Sequence, residues 1–301
     1  MSVFSVRHLT EYRYHRPVAF GEHRLMFRPR DSYDQRLLAA RLTTSPAAEQ
    51  RWLHDVFGNC VTLLRFAGRA KTLVIETEIR LEHTPFAGPD FRTDEAALTY
   101  PFDYAAEDRA DLGRTIDRHY PDPDGAVARW ARQFVAQGRP IATGTLLMTL
   151  CYAIRESFTY SRRHEPGTQP PAVTLHLRRG TCRDFALFMM EAVRSLGFAA
   201  RFVTGYVYVA DRDGDATLGG GSTHAWCQVY VPGAGWVEFD PTNGIVGSRD
   251  LIRVAVARDP EQAVPLCGSY HGAAEDERGM RVQVNVTTET IEEISETGPE
   301  D

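Results

Sequence analysis

A chain of 301 residues, 43% hydrophobic and 25% charged, suffices for one large or two ordinary domains. Such a chain can build a core that needs neither disulfides nor metals. A net charge of −6 gives no basic footprint for a nucleic-acid partner, and no window approaches the roughly 20 apolar residues of a membrane span. The start, Met1 to His8, lacks the basic segment and apolar run of a secretion signal. Five scattered cysteines argue against a disulfide framework and for a reducing compartment, so the expectation is a cytoplasmic protein.

The first third reads as β. Phe4, Val6, His8, Thr10, Tyr12 and Tyr14 share one parity, the strand period, until Pro17 and Gly21 interrupt it. Asp55 to Cys60 reads as a turn ahead of a strand from Val61 to Phe66. Leu73, Ile75, Thr77, Ile79 and Leu81 alternate with Glu76, Glu78, Arg80 and Glu82, the pattern of a half-buried strand. Short strands and turns before residue 85 predict a small antiparallel sandwich. From about Thr84 to Pro123 the chain is rich in Pro, Asp and Tyr with weak periodicity, which reads as a connection.

Helices follow. Asp124 is placed to cap one through Val135, and Thr143 or Thr145 to cap another running to Phe158. A third spans Thr181 to Gly197, with Phe185, Met189, Ala192, Val193 and Leu196 as its apolar stripe and Gly197 as its terminator. Strands are predicted over Arg201 to Val209, His224 to Val231, Trp236 to Asp240, Leu251 to Ala257 and Arg281 to Thr287. Helices followed by an antiparallel run make an α+β domain. The division is 1–90 for the β domain, 91–123 for a linker, 124–290 for the core and 291–301 for an acidic tail.

Three local settings carry chemistry. Cys182 follows Arg179-Gly180-Thr181 at a helix start, where free N–H groups and the positive dipole end favour a thiolate and are placed to stabilise an oxyanion. His224 begins a strand as Thr223-His224-Ala225-Trp226. Asp240 ends a strand in Glu238-Phe239-Asp240-Pro241-Thr242-Asn243-Gly244. Nucleophile, base and base-orienting carboxylate occur in that order.

Geometry makes the pair testable. If Val231 to Gly235 form the loop closed by Tyr230 and Trp236, Trp226 lies level with Asp240. His224 and Asp240 then share a face as diagonal neighbours, roughly 7–8 Å apart. A one-residue slip would turn Asp240 away.

Gly180-Thr181-Cys182-Arg183-Asp184-Phe185-Ala186, Thr223 to Trp226, and Phe239 to Gly244 together resemble the bacterial transglutaminase-like superfamily. Val6 to Tyr14 with Leu25 to Arg30 resembles its N-terminal β region, and Arg258 to Tyr270 resembles its tail. The resemblance implies a papain-like core behind a β-sandwich-like domain, with Cys182, His224 and Asp240 as the triad. It implies a peptidase or amidase acting on a peptide or amide bond through a thioester. The alternatives are acyl transfer to an amine, as in cross-linking transglutaminases, and a non-catalytic binding protein. Tyr160 is the candidate second oxyanion donor, and Trp226 the candidate wall of the substrate cleft.

Other signals are set aside. Asp211 to Asp215 lacks the spacing of a calcium loop, with Ser222 where the bidentate glutamate belongs. Gly219 to Gly221 could form a flap over the cleft. Arg162-Arg163-His164 reads as a basic loop, with an acidic substrate group as its sharper reading. No Cys-x-x-Cys or His-x-x-x-His occurs, so neither metal nor cofactor is expected.

Overall fold

The computed structural model describes residues 2–84, 92–135, 139–163, 165–208 and 222–290. His164, the Asp211–Asp215 run, the Gly219–Gly221 run and the tail 291–301 lie outside them.

Six strands open the chain: β1 (Ser2–Phe20), β2 (His23–Leu25), β3 (Gln35–Ser45), β4 (Ala48–His54), β5 (Cys60–Phe66) and β6 (Arg69–His83). β1, β6 and β3 form one antiparallel sheet, and β2, β5 and β4 a second. The two face each other across Tyr14, Val18, Phe20, Leu25, Phe27, Leu64, Leu73 and Ile75, which is the expected sandwich. β6 alternates as predicted, with Leu73, Ile75, Thr77, Ile79 and Leu81 all buried. β1 does not stop at Pro17. Its pairing with β6 breaks after Arg13 and resumes at Val18, so the proline falls in an unpaired bulge where its missing N–H costs no ladder bond.

The connection is more ordered than a linker. It holds β7 (Thr99–Tyr100), which pairs with β8 (Ile141–Ala142), and α1 (Ala106–Leu112). Tyr104 donates to the Tyr230 carbonyl (2.8 Å) and accepts from the Ala199 N–H (3.0 Å), which fixes this stretch to the core. Next come α2 (Ala126–Arg132) and α3 (Thr143–Ser157). Asp124 does not cap α2; the carboxylate of Asp122 accepts from the Val127 and Ala128 N–H groups, each at 3.2 Å. Thr143 opens α3 but gives its hydroxyl to the Ala97 carbonyl (2.6 Å).

Then follow β9 (Thr159–Tyr160), α4 (Pro171–Leu177), β10 (Arg179–Gly180) and α5 (Cys182–Arg194). The core sheet consists of β11 (Ala200–Val207), β12 (His224–Val231), β13 (Gly235–Asp240), β14 (Ile245–Val246) and β15 (Leu251–Ala257), in the order 14-13-12-11-15. α5 packs on one face of it, against Ala225, Cys227, Val229 and Phe239. Every residue of α5 but Arg183 is buried, so it is a central helix rather than the one-sided helix its stripe predicts. Its polar residues are neutralised in place: Glu191 accepts from Arg194 Nη1 (3.0 Å) and the His119 N–H (3.1 Å). Gly197, at φ +91°, ends the turn as expected.

The assignment of 124–290 to the core needs correction. β16 (Leu266–Cys267) pairs with β2, β17 (Tyr270–His271) pairs with β1, and β18 (Glu277–Thr290) runs antiparallel along β1. The end of the chain completes the N-terminal sheets because β1 otherwise offers a bare row of backbone donors and acceptors.

The β domain also covers the open edge of the core sheet. Gln35 exchanges side-chain bonds with the backbone of Arg253 (2.9 and 3.1 Å), and Asn59 does the same with Val256 (2.7 and 2.9 Å). Beside them, Phe4, Val6, Ile79 and Leu81 meet Tyr206, Ile252 and Val254. His8 lies in this seam, 3.1 Å from the Tyr206 hydroxyl. Burial pushes its imidazole down from 6.5 to about 4. The unfolded chain therefore binds the proton first as pH falls from 6.5 towards 4, and stability drops across that window by about 3 kcal/mol from this group. Denaturant midpoints at pH 7 and about 4.5 should show a smaller acid loss in His8→Gln than in the parent. Equal losses would assign the effect to other groups.

Candidate active site

Each site residue stands where an element begins or ends. β9 and β10 form a two-residue parallel ladder that sets Tyr160 beside Gly180. Two residues on, Cys182 opens α5, buried at 7% exposure where the helix start joins the main core. The first intrahelical bond runs from the Phe185 N–H to Thr181, which leaves the preceding N–H groups without helical acceptors. Gly180 permits the tight entry: a Cβ there would come within 2.8 Å of the Asp184 Cβ.

Asp184 was not singled out from the sequence, yet it organises this corner. Fully buried, its carboxylate accepts from the Thr181 N–H (2.8 Å), the Thr181 hydroxyl (2.9 Å), the Gln169 N–H (2.8 Å) and both Nε and Nη2 of Arg163 (3.0 Å each). Burial alone would raise its pKa; the Arg163 guanidinium and the N–H donors win and hold it below the usual carboxylate value. The readable signal is Thr181-x-x-Asp184, the spacing of a capping box. Arg163 is therefore a structural partner rather than a free substrate-binding cation.

The β12–β13 hairpin has the predicted register. Tyr230 faces Trp236 and Cys227 faces Phe239, so Trp226 falls level with Asp240. The closure is one pair tighter than expected, since Val231 also pairs with Gly235, whose φ is +72°. His224 and Asp240 meet as a result: Nε2 lies 2.7 Å from Oδ2, with both side chains fully buried. The second carboxylate oxygen accepts from the Thr242 N–H (2.9 Å), and Asn243 Nδ2 donates to Oδ2 (2.7 Å). Asn243 also went unassigned from sequence, although it lies within the Asp-Pro-Thr-Asn-Gly run.

Burial disfavours charge on the ring, but Asp240, followed by Cys182, overrides it and raises the His224 pKa. Asp240 is correspondingly lowered: burial would raise it, and His224 with its hydrogen-bond donors reverses that. With Nε2 engaged, Nδ1 remains. It is buried and forms no bond of standard geometry, while Cys182 is near enough to add to the upward push on the ring. A loose sulfur–imidazole contact of this kind is usual before substrate closes it.

Trp226 is not a cleft wall. It is fully buried and its ring lies along His224, centroids 6.0 Å apart and planes 27° apart. Its parity on β12 puts it on the same face as His224, facing inward over Gly205, where a Cβ would stand 2.8 Å from its Cη2. Tyr160 is half-buried, and its phenol is pushed up to about 12, by burial first and then by Cys182. Among the described residues no group of His, Cys, Asp and Glu is arranged to hold a metal, and no helix is long and apolar enough to cross a membrane.

Residues 4–82 match the bacterial transglutaminase-like N-terminal region, and residues 128–241 match the transglutaminase-like superfamily core. An uncharacterised protein of Mycobacterium tuberculosis is 30% identical over 287 residues, covering 91% of this chain and 89% of its own. One from Mycobacterium leprae is 30% identical over 301 residues, covering 93% and 97%. A crystal structure from Cytophaga hutchinsonii, with a provisional assignment as a cysteine protease, superimposes with a TM-score of 0.72. It covers 95% of this chain and 90% of its own at 17% identity, a likeness of fold. With both regions matched and relatives aligned almost end to end, the chain belongs to the bacterial transglutaminase-like superfamily.

Proposed function

We propose that this protein is a cysteine acyl hydrolase, a peptidase or amidase, with Cys182 as nucleophile, His224 as base and Asp240 as orienting carboxylate. The buried 2.7 Å His224–Asp240 bond, which leaves Nδ1 as the free nitrogen beside Cys182, carries this reading. Nδ1 takes the thiol proton as sulfur attacks the carbonyl carbon. It returns that proton to the leaving amine as the C–N bond breaks, which leaves a thioester. Water then attacks, its proton passing to Nδ1; the C–S bond breaks, the acid departs and the thiol is restored. N–H groups at the start of α5 and the Tyr160 phenol, kept protonated by its raised pKa, are the proposed donors to the oxyanion. The cysteine pattern favours a cytoplasmic location.

An activated ester such as p-nitrophenyl acetate tests the chemistry without the natural substrate. The expected result is one acetyl group on Cys182 by intact mass, absent in Cys182→Ala, and its release by water. An unlabelled Cys182 would overturn the proposal. Faster transfer to added glycine methyl ester than to water would overturn its hydrolytic half.

A further inference from the structure

Asp240 pins one nitrogen of His224, but a ring held at one nitrogen can still rock about that bond, since the terminal torsion of histidine is broad. The indole of Trp226 lies alongside that ring, centroids 6.0 Å apart and planes 27° apart. That indole is itself held, its N–H donating to Oε2 of Glu238. The other oxygen of Glu238 accepts from Gln228 Nε2 (2.5 Å) and Arg253 Nη1 (2.7 Å). Arg253 then reaches out of the core: its Nη2 donates to Asp34 Oδ1 and Ser32 Oγ, both at 3.0 Å. Ser32 and Asp34 belong to the β domain, and Ser32 also donates to Asp34 (2.5 Å).

Every hydrogen bond from the indole outward is 3.0 Å or shorter, and Trp226, Glu238 and Asp34 are buried. A flat guanidinium fork joining one carboxylate on each side is a stiff connector. We infer that the N-terminal β domain positions the catalytic base through Asp34, Arg253, Glu238 and Trp226, and so acts as part of the active site rather than as an appendage. These are positioning residues, because only Trp226 reaches His224 and none reaches the sulfur. The inference rests on the reading of His224 as the base.

The alternative is an ion-pair cluster that merely fastens two domains. It would affect unfolding but not the behaviour of the thiol in folded protein. Besides the indole, the polar and titratable groups facing His224 are Asp240 and Asn243 from β13 and the turn after it, and Cys182 from α5. None of these is changed in the test.

The test is the rate of Cys182 alkylation by iodoacetamide across pH, read by intact mass on full-length protein. Cys60 and Cys267, the two cysteines not buried, are replaced by serine. Trp226→Phe keeps a ring and every charge but removes the N–H; Glu238→Gln keeps the shape; Asp34→Asn cuts the link on the β-domain side. At neutral pH the expected rate falls about tenfold in the first two, with the ascending limb moved to higher pH. Asp34→Asn should show a smaller shift in the same direction. If all three folded variants superimpose on the parent while His224→Asn does not, the inference is wrong and the triad stands. If His224→Asn superimposes as well, the proposed function itself fails. Should Trp226→Phe not fold, Glu238→Gln and Asp34→Asn decide.

Discussion

Asp240→Asn is expected to lower acyl-enzyme formation from p-nitrophenyl acetate by about 10³-fold or more while the fold persists. Two effects combine. The amide carries no charge to stabilise the imidazolium that forms when sulfur gives up its proton. It also presents an N–H where Oδ2 now accepts, in a spot where Asn243 Nδ2 already donates at 2.7 Å. Relief comes if the new amide donates to Nε2, but this drives the ring proton onto Nδ1, the nitrogen needed to receive the thiol proton. The variant should therefore fail in proton transfer rather than in folding. It also removes the larger cause of the raised His224 pKa. The parent's ion pair stabilises it most fully below the unfolded histidine value, and that gain is lost as pH rises through the raised folded value. In Asp240→Asn this alkaline loss should shrink, since only Cys182 still raises the ring. Stopped-flow release of p-nitrophenol and denaturant midpoints from neutral to alkaline pH measure the two effects; unchanged release would exclude Asp240 from the chemistry.

The second large effect is structural. Asp184→Ala is expected to cost about 3–5 kcal/mol, the range for stripping one partner from a buried charge. Arg163, with a side chain only 17% exposed, would keep its charge with only the exposed Glu165 at 3.6 Å to pair it, and the N–H groups of Thr181 and Gln169 would lose their acceptor. Asp184→Asn, which keeps the shape but sets an amide against these donors, should lie between alanine and the parent. Because the folded pKa is lowered, the contribution is whole above the unfolded carboxyl value and fades as pH falls through the folded one. Equilibrium unfolding in urea at neutral and acidic pH would show both signs. A loss near zero would mean that water replaces the carboxylate. Thiol reactivity at Cys182 should fall in parallel, since Asp184 ties the Arg163–Gln169 loop to the first turn of α5.

The sequence exposed those parts of the molecule in which one short segment decides one local structure. Cys182, His224 and Asp240 each occupy an element terminus with turn or cap residues beside them. The hairpin register followed from counting residues between Tyr230 and Trp236. β6 was visible because one face is buried and the other wet. Less was visible where partners are remote. β3 and β4 are mostly exposed or half-buried, so they lack a clean alternation. α1 and α4 are only 7 residues each, too short for a periodic stripe. The bonds of Asp184 to Gln169 and Arg163, of Asn59 to Val256 and of Gln35 to Arg253 span 15 to 218 positions, and no local pattern encodes such a distance. Trp226 was misplaced for a related reason: a tryptophan two residues from a base reads equally as substrate platform or as backing, and only Gly205 and Glu238 on neighbouring strands show which.

The pairing of Glu277–Thr290 along Ser2–Phe20 bears on how the protein is made. During synthesis the first long strand leaves the ribosome with one flank bare, and the segment that covers it emerges some 260 residues later. Meanwhile the nascent β region carries an open hydrogen-bonding flank, the kind of surface that recruits chaperones or pairs with other chains. A fragment cut near residue 90 would keep that defect permanently and should self-associate, whereas a construction that splices the closing strand onto the fragment should stay monomeric.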